Sequence, residues 1–295
     1  MAPKNFSNSA TPQKKLSLRL ALGATAGIVL LSTSLWADIL LTAIARPNIF
    51  TSNFEKGNFS EWRKELCCQH SAQIVSSPTR AGEHAVKFTL KKGDPFVASS
   101  KRAELRLGTV PANSEQWYGF SNYLPKEWVN DPSFEITTQF HNRPDLSLGE
   151  EWRSPSLTLA IYKDRWRVGN RWDPKQVTKN NNPHPEGSSE GWYVGNIEKG
   201  KWTDWVFHVK WSHKSDGLLE VWKDGKLVVR KTGPNTYNDE KGPFLKMGIY
   251  KPHWKSKPER SKATKRVIYF DEVRVGNASA SYKDVVPRSR PASPL

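Results

Sequence analysis

The sequence predicts an all-β protein, a two-sheet antiparallel sandwich or jelly roll, and three observations predict it. Trp205, Phe207, Val209 and Trp211 alternate with Val206, His208 and Lys210, a strand's period of two. Asp224-Gly225 separates the strand-like runs Leu219–Lys223 and Lys226–Val229, the strongest short-range hairpin signal. Long helical periodicity is absent from residues 46–286, whereas short strand-like runs recur through them.

The elements follow in chain order. Lys14, Lys15 and Arg19 precede a mostly apolar run, Leu20 to Leu41, and the small-x-small triplet Ala43-Ile44-Ala45. Residues 1–45 therefore read as a signal peptide, with a retained signal anchor as the alternative, and the body is expected to be secreted or otherwise extracytoplasmic. Residues 46–286 form one expected domain. Within it, Ser100–Leu107 puts Ala103, Leu105 and Leu107 on one face and Arg102, Glu104 and Arg106 on the other. Glu135–His141 likewise separates Ile136, Thr138 and Phe140 from Glu135, Thr137, Gln139 and His141. Phe244–Lys251 separates Leu245, Met247 and Ile249 from Lys246, Gly248 and Tyr250, and Gly248 leaves room for a ligand to approach the backbone, or marks a bulge. Val267–Phe270 and Val273–Val275 read as a final strand. Two long polar segments, 173–191 and 252–265, read as binding loops or lids. The Pro/Ser/Arg-rich tail, 287–295, is expected to be disordered.

Composition narrows the function classes. Lys and Arg number 45 against 29 Asp and Glu, a formal charge of +16, so a polyanionic partner is expected: nucleic acid, an anionic membrane or an acidic polysaccharide. Thirteen Trp, 8 Tyr and 12 Phe suit a β protein or a stacking surface. The two cysteines, Cys67 and Cys68, exclude a disulfide scaffold, and their adjacency argues against an ordinary bridge between them.

If the three strands share a sheet, Arg102, Gln139, His141, Lys246 and Tyr250 converge on one surface. Those groups suit β-elimination of a uronic-acid polymer. The proton at C5 lies beside a carboxylate, whose charge makes the carbon acid very weak. Arg and Gln can mask that charge and stabilise the enolate-like intermediate. His or Tyr can take the proton, and Tyr can protonate the leaving oxygen.

Arg102-Ala103-Glu104-Leu105, Gln139-Phe140-His141 and Lys246-Met247-Gly248-Ile249-Tyr250 resemble, in order, three motifs of jelly-roll polysaccharide lyases. The flanking Trp117–Ser121 and Leu218–Lys226 look closest to the heparin lyase I-like and glucuronan lyase branch, with motifs shared with alginate lyases. The resemblance spans roughly residues 50–276. It implies a concanavalin A-like β-jelly roll acting on an acidic polysaccharide, glucuronan-like first. It implies catalytic roles for Arg102, Gln139, His141 and Tyr250, with the base either His141 or Tyr250, and substrate contacts for Glu104, Arg106, Lys246 and Lys251. Ala103 and Pro252 depart from the alginate lyase pattern. Asn53–Gly57 and Phe270–Glu272 resemble paired terminal segments that hold a structural Ca²⁺ in many jelly rolls, with Glu55 and Asp271 as candidate ligands. No organic cofactor is implied, and a monomer is expected, touching a membrane only through a retained anchor.

Three rivals are weighed. A glycoside hydrolase needs two carboxylates at fixed separation, and no Glu-x-Asp-x-x-Glu strand is present. A non-catalytic carbohydrate-binding or adhesion module of the same fold needs the same sheet without proton transfer. Nucleic acid could stack on Trp152-Arg153, Arg165-Trp166-Arg167 and Arg171-Trp172, but it is disfavoured by the export signal.

Overall fold

The computed structural model describes residues 47–179 and 188–289. The expected signal segment, residues 290–295 of the tail and the middle of the 173–191 loop lie outside the described residues.

Fifteen described strands make two antiparallel sheets. The first carries β13 (Lys226–Thr232), β12 (Leu218–Lys223), β11 (Trp202–Lys210), β6 (Glu115–Tyr123), β15 (Lys265–Asn277), β4 (Ala85–Lys91) and β3 (Ala72–Val75) in that order, with β1 (Ile49–Ser52) also paired to β15. The second runs β10 (Ser188–Asn196), β9 (Arg165–Trp172), β8 (Leu157–Tyr162), β7 (Glu135–His141), β14 (Lys241–Tyr250), β5 (Arg102–Pro111) and β2 (Arg63–Glu65). This is the jelly-roll class of sandwich.

The alternation in β11 works as written. Trp205, Phe207 and Val209 are fully buried between the sheets, where Phe207 meets Phe120 of β6 and Phe140 of β7. Trp166 of β9 meets Trp205 edge-on. Burying such side chains stabilises the sandwich by about 1.5–3 kcal/mol each. Asp224 and Gly225 take φ of 49° and 80°, the left-handed pair of a two-residue hairpin, and Lys223 pairs with Lys226 across it.

Two departures from the expected pattern matter for the site. Strand β7 carries a bulge at Thr137, since Ile136 pairs with Ala160 and Thr138 with Leu159. The extra residue reverses the faces at the strand's start. Glu135 therefore points inward beside Ile161 instead of joining the Gln139–His141 face. There it meets Arg266 at 2.8 Å and Lys251 at 3.3 Å, and Asp131 completes the buried cluster. Gly248 of β14 has φ 136°, and a Cβ there would overlap the Ala103 carbonyl. The glycine thus serves the close approach of β14 to β5 beside a register shift, rather than a ligand.

The 252–265 segment is pinned through Trp254, Ser261 and Ala263, while residues 255–260 are exposed. It holds the one-turn helix His253–Ser256, whose Trp254 is buried and donates its indole N–H to Ser261 at 2.7 Å.

Candidate active site

The outer face of the second sheet carries the candidate residues because register aligns them. Arg106, Lys246 and Gln139 lie side by side across β5, β14 and β7. Their chain neighbours Leu105, Met247 and Phe140 are buried on the opposite, inner face. Arg102 pairs with Tyr250, Glu104 with Gly248, and His141 with Phe244. The three motif strands are therefore contiguous and their polar sides coincide.

The centre of this face is an ion cluster. Lys246 Nζ reaches Glu65 at 2.7 Å and Glu104 at 2.9 Å. Arg102 reaches the same two carboxylates at 3.1 and 3.3 Å, and Arg106 reaches Glu65 at 3.3 Å. Gln139 Nε2 donates to Glu104. Three cations against two carboxylates leave one net positive charge to meet an anion. Burial works against the Glu65 charge, but Lys246, Arg102 and Arg106 together hold its carboxyl below the usual range.

Two of the expected substrate contacts are too deep to touch a polymer. Lys246 is 2% exposed and Glu104 1%, and Gln139, expected to bind the carboxylate, is also 1% exposed with its amide given to Glu104, so all three position Arg102 from beneath. Lys251 is also corrected. The alternation that turns Tyr250 outward turns the next residue inward, and Lys251 is fully buried with Asp131 at 3.2 Å and Ser133 at 2.8 Å. Arg106 remains accessible at the face.

Two pairs of groups flank the cluster. At one end, His141 Nδ1 lies 2.7 Å from the Asn142 carbonyl, which can only accept, so Nδ1 carries the proton and the Nε2 lone pair is left for substrate. The ring stacks on Phe244 at 5.5 Å, and the Arg106 guanidinium lies 5.2 Å from the centroid of that same Phe244. Exposed Trp152 meets His141 at 5.6 Å. Burial, reinforced by Lys246 and Arg102, pushes the His141 imidazole down to about 4, so it is neutral at ordinary pH. At the other end, Arg102 lies 4.5 Å over the Tyr250 ring. Between the His141 and Tyr250 rows β14 advances six residues, about 20 Å of extended chain.

Glu65 escaped sequence reading because Arg63-Lys64-Glu65 shows no apolar alternation. Phe244 and Trp152, which frame His141, carried no motif either. Of the Trp/Arg stretches weighed for nucleic acid, Trp166 is core and Arg153 is buried with Glu150 at 3.0 Å and Asp239, so they form no common stack. A hollow of about 410 Å³ lined by Lys87, Trp128, Lys265 and Tyr269 lies at β4 and β15 and contains none of the site residues.

Glu55 and Asp271 do not fit a shared cation. Glu55 accepts the Glu83 and His84 backbone N–H groups at 3.0 Å, while Asp271 accepts those of Arg80 at 2.8 Å, Ala81 at 3.2 Å and Glu272 at 2.7 Å. The lone pairs a hard ion needs are directed at amides, and both carboxylates grip the 80–84 loop. Cys67 and Cys68 are joined by a disulfide. Adjacency, with Cα atoms 3.8 Å apart, confines the bridge to a small ring through one peptide unit but does not prevent it.

A family model described as polysaccharide lyase matches residues 54–274. Among solved structures the chain is similar to an endo-β-1,4-glucuronan lyase from the fungus Trichoderma reesei, with 22% identity over 82% of this chain and 98% of that one, at a TM-score of 0.67. It is also similar to the alginate lyase A1-II′, with 12% identity over 77% of this chain and 99% of that one, at a TM-score of 0.50. At these identities the likeness shows a shared fold. No curated protein matches.

Proposed function

We propose, from the premise that the chain belongs to the polysaccharide lyase family, that it cleaves a uronic-acid polymer, glucuronan-like first, by β-elimination on the outer face of the second sheet. The observation that carries this reading is the neutral His141 with its Nε2 lone pair free, set beside an accessible guanidinium on a face of net positive charge. Arg106 binds the C6 carboxylate and holds the charge that develops as C5 loses its proton. His141 Nε2 takes that proton. The electron pair of the C5–H bond becomes the C4–C5 double bond, and the C4–O bond breaks. The departing oxygen is protonated by the imidazolium, leaving His141 neutral again. Trp152 offers a sugar face a stacking surface. Glu65, Glu104, Lys246 and Arg102 fix the arrangement from below.

A specific observation favours a second base. The Tyr250 phenol stands on the same outer face, its ring fixed under the Arg102 guanidinium, where one hydroxyl serves both proton transfers. The test is to follow absorbance of the new double bond on polyglucuronate, alginate and heparin-like chains with His141→Asn and Tyr250→Phe. Loss of about a hundredfold or more in kcat with His141→Asn, against a smaller loss with Tyr250→Phe, is expected. The reverse moves the base to Tyr250. Absence of unsaturated product from every acidic polymer removes the elimination reading and favours the carbohydrate-binding module. A polymeric substrate also supports export of the body, the role expected of residues 1–45.

A further inference from the structure

We infer that Arg167 is a second carboxylate site on the same face, which takes another uronate of the chain being cleaved. The inference rests on the proposed cleavage of a polyuronate beside His141. Register places it there. Gln139 of β7, Thr158 of β8, Gly169 of β9 and Gly191 of β10 form one row across the sheet, and Arg167 stands two residues from Gly169 on the same side. Its inner-face neighbours Trp166 and Val168 are fully buried, so the guanidinium belongs to the outer face.

Two glycines make room for it. A Cβ on Gly191 would overlap Arg167 Nη2, and one on Gly169 would come 2.9 Å from Nη1 and 2.8 Å from Thr158 Oγ1. The side chain therefore leans back from its own row into the row of Gln139. From β7 to β9 is two strand spacings, about 10 Å, comparable to the length of a disaccharide.

Arg167 lacks a counter-ion, as does Arg171 on the same face, and of the two it is Arg167 that the glycines admit into the row of Gln139. Arg80, Arg102, Arg106, Arg153, Arg266 and Arg274 each meet a carboxylate. Arg167 is partly buried and makes no hydrogen bond or ion pair among the described residues, and burial, with Arg171 on the same face, disfavours its charge. A desolvated guanidinium without an anion is costly, and its fork of N–H donors matches a carboxylate. Sugar hydroxyls would not offset that charge. A second acidic unit of the bound polymer would.

The test compares wild type with Arg167→Gln and with Gly191→Ala, which keeps the arginine but displaces it. The probes are polyglucuronate, the same polymer with its carboxyls reduced to hydroxymethyl groups, and a glucuronate disaccharide too short to span both sites. Each variant is expected to raise KM on polyglucuronate about tenfold while kcat stays within about twofold. The variants should match wild type on the disaccharide and bind the reduced polymer no differently from it, with melting temperature confirming the fold. If wild type cleaves polyglucuronate and Arg167→Gln has the same KM, this inference fails alone. If wild type binds but does not cleave, and Arg167→Gln lowers binding, Arg167 stands as an acid-recognising site and the cleavage reading fails. If wild type neither binds nor cleaves, both fail.

Discussion

Glu104→Gln tests whether the buried ion cluster organises the face. The substitution keeps shape and removes one charge. Glu104 meets Lys246 at 2.9 Å and Arg102 at 3.3 Å, and accepts the Gln139 amide. At an effective dielectric of about 20, the Lys246 contact alone is worth about 6 kcal/mol in gross Coulomb energy. Desolvation offsets much of this, and breaking one side of a buried pair typically costs about 3–5 kcal/mol. Glu65 still holds Lys246 at 2.7 Å and Arg102 at 3.1 Å, so the expected loss is lower, about 2–3 kcal/mol. For a domain of this size that is a fall in Tm of roughly 4–12 °C. Lys246→Met is expected to cost about 3 kcal/mol, because Glu104 keeps only Arg102 and the Gln139 amide, and Glu65 only Arg102 and Arg106. The assay is a double-mutant cycle by urea unfolding, read alongside kcat/KM on the best acidic polymer. The double variant should be less destabilised than the sum by about 1.5–3 kcal/mol. Additivity within about 0.5 kcal/mol would refute the idea that the two residues form one unit. So would unchanged kcat/KM in Glu104→Gln, since the charge at 104 would then not be needed to hold Lys246 and Arg102 in place.

Further outcomes follow from the same contacts. The acid limb of kcat/KM is expected near pH 4 rather than near 6.5, because His141 is held neutral in the free enzyme; a limb at 6.5 that persists in Tyr250→Phe would contradict its environment. In stability the sign is that of a depressed folded value: the His141 contribution is complete above 6.5 and is lost as pH falls toward 4, which a comparison of wild type with His141→Asn in acid unfolding measures. Asp271 runs the other way. Burial pushes its carboxyl up to about 7, so it favours the fold most below its ordinary value of 3.8 and progressively less as pH rises through 7; Asp271→Asn should flatten that loss between 3.8 and about 7. Lys251→Met should lower Tm while leaving KM unchanged, and an altered KM would return that side chain to the face. A chelator should leave Tm unchanged, because amides already occupy the Glu55 and Asp271 oxygens; a fall of several degrees would show a cation there.

The legible part of the site was what alternation alone decides. In β5 and β14 the inner residues Ala103, Leu105, Met247 and Ile249 mark one side, so the other side could be assigned without coordinates. What alternation cannot carry is an inserted residue: the bulge at Thr137 sent Glu135 into the interior, and nothing in Glu135-Ile136-Thr137-Thr138 announces it. Depth was equally hidden. Lys246 and Glu104 lie on the polar face as expected, yet flanking strands and each other's charges bury them, and the burial depends on Glu65 from a three-residue strand far back in the chain. Lys251 is a substrate contact only by resemblance, and period two sends the residue after an outward Tyr250 inward. Arg167 became meaningful only when Gly169 and Gly191, on separate strands, were brought beneath it.

The antiparallel pairing of β1 with β15, Ile49 opposite Gly276, leaves both extremities of the folded body on adjacent strands of the sheet that does not bear the candidate site. Splicing those extremities through a short flexible peptide and reopening the chain at Asp224-Gly225 should give a circular permutant with every residue of the catalytic face undisturbed. For the same reason a fusion partner or a solid support attached at either extremity would sit behind that face and leave it open to a long polymer.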